Sequence, residues 1–219
     1  MLKTLKAFAF AAVATVGITL AGSANAGISI IGGTDTAIPG NNDFKTQLNT
    51  AGFDTLNMGG NLSFTTGTVK FYLLGSESDY RDGFKVNGTT LYQEAGSGGA
   101  NDVAWQGLPG TYLGQYNVSG QNPLSLTFIS SNPNGTTASV GSQAFGLIYD
   151  GPNKTGLTKV VFAFDDQINN QDDNHDDLLI LAKFTPAVPE LDTWMMMLVG
   201  FSLVGLQLRR RNSVSMSVA

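Results

Sequence analysis

The 219-residue chain has no cysteine, one histidine and a formal charge of −5, which excludes a disulfide framework, a zinc–thiolate site and a cysteine nucleophile. Between Gly27 and Pro189 the imbalance sharpens to 15 acidic against 7 basic side chains, a charge of −8. Such a surface disfavours nucleic acid and anionic lipid and favours divalent cations.

The chain opens with Met1-Leu-Lys-Thr-Leu-Lys6, an apolar run from Ala7 to Leu20, and Ala21-Gly-Ser-Ala-Asn-Ala26. A basic start, an apolar stretch and small residues at Ala24 and Ala26 in that order describe a secretory signal peptide over residues 1–26, cut after Ala26 by signal peptidase. A buried core helix is the alternative, and it explains only the middle part.

From Gly27 to Ala187 the sequence reads as one β domain. Short runs of β-formers include Ile28 to Ile31, Leu62 to Phe64, Thr68 to Leu74, Gly83 to Val86, Thr89 to Tyr92, Pro123 to Ile129, Ala144 to Tyr149, Lys159 to Phe164 and Leu178 to Phe184. Turn residues separate them, and Asn87-Gly88 between two such runs predicts a type I′ hairpin. One short helix is expected over Asp43 to Leu48. Many strands at fairly even spacing predict an all-β fold, a single jelly-roll-like β-sandwich flanked by an N-terminal signal helix and a C-terminal hydrophobic helix.

The segment with the most chemistry is Phe162-Ala-Phe-Asp-Asp166-Gln-Ile-Asn-Asn-Gln-Asp172-Asp173-Asn174-His175-Asp176-Asp177-Leu-Leu-Ile180. Six carboxylates fall within 13 residues and repel one another unless a cation neutralises them. Asp172, Asn174 and Asp176 alternate, so that their oxygens can converge on one ion, as in the first half of an EF-hand loop. The EF-hand itself is absent: the sixth position lacks Gly, and Lys183 stands at the twelfth. Asp166 and Asp177, at the two ends of the loop, complete an oxygen set suited to calcium. A solvated acidic loop is the alternative. His175 is expected to be structural or exposed, because one imidazole among carboxylates does not make a zinc or copper site.

After residue 187 come Val188-Pro189-Glu190, a Trp at 194, a charge-free stretch to Leu208 and then Arg209-Arg210-Arg211. At about 1.5 Å per residue, the 15 residues from Trp194 to Leu208 cover only part of a bilayer's hydrocarbon. The arginines place that end on the cytoplasmic side and the domain outside.

This tail, residues 188–211, resembles the PEP-CTERM sorting signal. The resemblance rests on Val188, Pro189 and Glu190, the Met-rich helix with Gly200-Phe201, and the cluster Arg209, Arg210 and Arg211; Leu191 stands where the family has a second proline. It implies processing by a membrane exosortase, a transient transmembrane helix in the inner membrane, and a place at the cell surface or in a biofilm or exopolysaccharide matrix; residues 212–219 are expected to form a short disordered tail. The alternative is an ordinary anchor helix.

The Asp-rich segment is also similar to an uncharacterised β-sandwich domain of large secreted bacterial proteins. Phe164-Asp165-Asp166 and Asp172-Asp173-Asn174-His175-Asp176-Asp177-Leu178 carry that likeness, together with Leu74-Gly75-Ser76-Glu77-Ser78-Asp79-Tyr80, Phe84 and Asn87-Gly88. It implies that Glu77 approaches the Asp loop, which makes the expected calcium set Glu77, Asp166, Asp172, Asn174, Asp176 and Asp177.

No catalytic motif stands out: Gly-x-Ser-x-Gly, a Walker loop and His-Glu-x-x-His are all missing. The expectation is therefore a non-enzymatic, calcium-stabilised, exported structural protein. In that reading Trp105, Tyr112 and Tyr116 serve either exopolysaccharide or the core; a calcium-dependent carbohydrate-binding or adhesion module is the first alternative. A polysaccharide-active enzyme using Glu77 with Glu94 or Asp79 is the second.

Overall fold

Side chains of a strand alternate between the two faces of its sheet, so a strand that is apolar at every position must be covered on both sides. Val-Val-Phe-Ala-Phe at 160–164 and Leu-Leu-Ile-Leu-Ala at 178–182 have that character, and they lie in the middle of the largest sheet. The structure, a computed structural model, describes residues 26–95, 102–119, 124–132, 137–167, 174–187 and 191–214. Its elements are β1 (Ile28–Ile31), β2 (Thr34–Ala37), α1 (Lys45–Thr50), β3 (Thr55–Met58), β4 (Asn61–Phe64), β5 (Gly67–Gly75), β6 (Gly83–Val86), β7 (Thr89–Gln93), β8 (Thr111–Val118), β9 (Leu126–Ile129), β10 (Ala138–Ser139), β11 (Phe145–Tyr149), β12 (Lys159–Phe164), β13 (Leu178–Pro186) and α2 (Leu191–Val214).

The strands form a seven-stranded sheet in the order β2-β3-β11-β12-β13-β5-β8, a four-stranded sheet β10-β9-β6-β7 and the pair β1-β4. Their pairings are antiparallel throughout. Val160, Phe162 and Phe164 of β12, Ile180 and Phe184 of β13 and Val69 and Phe71 of β5 meet Phe84, Phe128 and Leu126 of the smaller sheet in one core. The aromatic rings stack closely: Phe128 lies 4.9 Å from Phe164 and 4.8 Å from Phe145. Val161, Ala163, Leu179 and Leu181 point the other way and are covered by Ile38, Phe44, Leu48 and Phe53, which lie in and around α1. The architecture is thus mostly β and sandwich-like, with a small third layer over the outer face of the larger sheet. A jelly roll divides eight strands between two sheets; here the division is seven, four and two, so the sandwich is shown and the jelly-roll order is not.

Asn87 and Gly88 have φ of 50° and 79°, the pair of positive angles a type I′ turn demands, and they join β6 to β7. The helix falls at Lys45–Thr50, two residues later than the sequence indicates. Strands β2, β3, β8 and β10 were not among the expected ones. Thr34–Ala37 is exposed throughout, and β8 alternates polar with half-buried residues at an edge of the larger sheet. Edge strands are held by main-chain pairing and need no apolar stripe.

The chain divides into two compact units, Met1–Pro186 and Ala187–Ala219. In the second, α2 spans 24 residues and every described side chain from Met196 to Arg209 is exposed. Among the described residues no helix is long and apolar enough to cross a membrane, which corrects the expectation of a transmembrane helix here: the apolar stretch runs out at Leu208, where the arginines begin. Ala24, Val188, Pro189 and Glu190 lie outside the described residues, and Arg210 and Arg211 are described only as helical backbone.

Candidate metal centre

The register of the central strands brings the two ends of the Asp-rich segment together. Phe164, the last residue of β12, pairs with Leu178, the first of β13. Asp166 and Asp177 therefore emerge side by side at the same end of the larger sheet. The Asp166 N–H donates to Asp177 Oδ2 at 2.6 Å, which locks the two segments. Across the core, β6 begins at Gly83 opposite Ile129 of β9, so Asp82 and Ser130 leave the smaller sheet at that same end. One oxygen each from Asp82, Asp166 and Asp177 lies within 4.8 Å of the others.

The three carboxylates are 0%, 1% and 8% exposed, so the cluster is interior and not a surface patch. Both oxygens of Asp82 and Oδ1 of Asp166 are buried without a hydrogen-bond partner. Asp166 Oδ2 accepts from Ser78 Oγ and Ser130 Oγ, each at 3.3 Å. Among the described residues the salt bridge found is Lys154 to Asp35, far from this cluster in the sheet; no cationic side chain is paired with Asp82, Asp166 or Asp177. Buried polar groups are nearly always satisfied, and an unpaired buried charge is among the most costly features a fold can carry.

Glu94, at the end of β7, is a fourth buried carboxylate, 2% exposed. Its Oε2 accepts the Asp82 N–H at 2.9 Å, and its own N–H donates to Asp82 O at 2.9 Å. This reciprocal pair fixes the backbone that carries Asp82. Glu94 Oε1 is buried and unpartnered.

The titration behaviour follows. Burial, reinforced by the charges of Asp166 and Glu94, pushes Asp82 up to about 7. The hydroxyls of Ser130 and Ser78 are near enough to temper that rise, though neither reaches Asp82 with hydrogen-bond geometry. Burial and the charge of Asp166 push Asp177 up to about 10. Asp166 and Glu94 are also raised, chiefly by burial.

Chemically this is a set of hard oxygen donors with an excess of negative charge. Oxygens sharing a calcium ion sit about 2.3–2.6 Å from it, hence at most about 5 Å from one another, which the cluster satisfies. Asp82 and Glu94 come from the smaller sheet and Asp166 and Asp177 from the larger, so a cation held here would tie the two sheets together.

The sequence-derived set overlaps this one in Asp166 and Asp177. Asn174 and Asp176 are buried but belong to a neighbouring tether: Asn42 Nδ2 donates to Asn174 O at 2.8 Å, and the Asp43 N–H donates to Asp176 Oδ2 at 2.7 Å. Asp172 lies outside the described residues. Glu77 is half-buried and is not one of the three clustered carboxylates; its neighbour Ser78 is the residue of that segment that touches Asp166. Asp82 was missed. It is a lone Asp between Arg81 and Gly83, and its only signal is that it stands just outside a buried strand, as Asp166 and Asp177 do.

His175 is buried, with φ of 55°, and its Nε2 donates to Gln143 O at 2.9 Å. A side chain at Gly146 would collide with the imidazole and with Leu56. Of the three aromatics considered for a polysaccharide, Trp105 packs on the outer core and Tyr116 on the inner, while Tyr112 is 53% exposed.

Compared with known proteins, the chain matches no family model, no curated protein and no solved structure.

Proposed function

We propose that the chain is an exported, non-enzymatic structural protein of the cell surface or extracellular matrix, whose sandwich is held closed by calcium bound to Asp82, Asp166 and Asp177. The carrying observation is the buried carboxylate cluster, with orphaned oxygens and no cationic partner among the described residues. All-oxygen donors favour calcium or magnesium over zinc or copper. Calcium is the better fit because it tolerates an irregular, crowded carboxylate set, whereas magnesium demands a near-ideal octahedron and retains water.

The export half of the reading draws on the order of sequence features at both ends and on one structural fact. Gly27, the residue after the proposed cleavage point, is buried, and its N–H donates to Thr65 Oγ1 at 2.9 Å. A Cβ at Gly27 would lie 2.5 Å from the backbone of Gly156, so glycine is needed there. Processing by an exosortase at Pro189-Glu190 follows from the sequence resemblance and belongs to the same proposal.

The test is thermal unfolding in calcium and in EDTA. At a calcium concentration 100 times the Kd, binding to the native state adds about 2.7 kcal/mol, which in a domain of this size raises Tm by about 5–10 °C. An unchanged Tm would remove the metal from the reading and leave only the export route.

A further inference from the structure

We infer that calcium gates the folding of the sandwich, so that the chain stays largely unfolded at the free calcium of a cytoplasm and closes at the calcium of an external medium. This rests on the proposed calcium reading of the Asp82, Asp166 and Asp177 site and names its regulation.

The argument is topological. The cluster does not decorate a finished core; it sits where the two sheets meet at one end. Asp82 and Glu94 bracket the β6–β7 hairpin, and Asp166 and Asp177 bracket the segment between β12 and β13. Closing Phe84 and Phe128 onto Phe162 and Phe164 necessarily drives these four carboxylates together. Burial of the aromatic core and burial of the acids are one event.

Without an ion the closed state must hold four carboxyl groups away from water. Among the described residues four of their oxygens have no hydrogen-bond partner: both of Asp82, Oδ1 of Asp166 and Oε1 of Glu94. Such a penalty is comparable with the whole stability of a typical domain. Because the site is assembled only when the sheets close, binding free energy becomes folding free energy. A chain built this way remains unfolded while it is being exported.

The experiment uses the full chain, with near-UV circular dichroism and limited proteolysis as readouts, over free calcium buffered from about 0.1 μM to about 1 mM, the span from sensor-type to extracellular affinities. The expected result is a cooperative change from protease-sensitive and spectrally featureless to resistant and ordered, with a midpoint above about 10 μM. The double variant Asp82→Asn, Asp177→Asn carries neutral amides in place of two acids and is expected to lose the calcium dependence. If that variant fails to fold, the wild-type titration alone decides. A wild-type chain equally ordered at both ends of the range, but with a Tm that rises with calcium, would overturn the gate and leave the metal site standing. No calcium response in either readout or in Tm would overturn both.

Discussion

Two regions of this sandwich are equally buried and opposite in character. In the middle, Phe71, Phe84, Phe128, Phe145, Phe162 and Phe164 fill the space between the sheets with apolar rings. Two residues beyond Phe164, at the end of the same strands, Asp166 meets Asp177 and Asp82 in a space just as dry. The ring cluster is favourable under any solution condition that keeps water outside. The acid cluster is favourable only when protons or a cation remove its charge. One strand thus contributes an unconditional part and a conditional part of the stability, separated by a single residue, Asp165.

The sharpest way to separate the two is a substitution confined to the rings. Phe162→Ala is expected to cost about 3–5 kcal/mol in chemical denaturation, by the same amount at every calcium concentration at which the wild type is folded. A loss that depended on the ion would mean that the rings and the acids are not separable.

At the other region, Asp82→Asn keeps the shape and removes one charge. The expected outcome is a Tm that no longer responds to calcium, and a chain in EDTA more ordered than the wild type, since a neutral amide is cheaper to bury than an unpaired carboxylate. A variant with the wild-type calcium shift would show that Asp82 is not a ligand.

A third measurement is the pH slope. In the folded chain burial pushes Asp82 up to about 7 and Asp177 up to about 10, against an ordinary value of 3.8. The folded state therefore holds protons that the unfolded state has released. In EDTA this penalty is absent below about pH 4, grows as pH rises, is complete for Asp82 once pH has passed about 7, and continues to grow through Asp177. Stability without metal must fall from pH 5 to pH 8. In calcium the slope flattens or reverses, because the ion requires the ionised groups. Equal slopes with and without calcium, followed by Tm, would break the comparison.

Much of this was legible in the residues, and the reason lies in local chemistry. Buried strands announce themselves by apolar runs, which is why β5, β6, β11, β12 and β13 fall where the sequence places them. The Asn87-Gly88 turn is readable because few residues accept two positive φ angles. Asp166 and Asp177 stood out because acids crowd that segment. Strands β2 and β8 were not legible, since an edge is held by main-chain hydrogen bonds that leave no mark on side-chain pattern.

By itself, the sequence determined that the chain is β-rich, acidic and free of cysteine, that its ends differ from its middle, and that its acids demand neutralisation. Only the tertiary structure decided which acids meet. Spacing along the chain pointed to Asp172, Asn174 and Asp176, yet the pairing of Phe164 with Leu178 joined Asp166 to Asp177, and the closure of the second sheet delivered Asp82 from more than 80 residues away. Strand register and sheet packing are long-range choices, set by where the phenylalanines can be buried, and no local pattern around Asp82 records them.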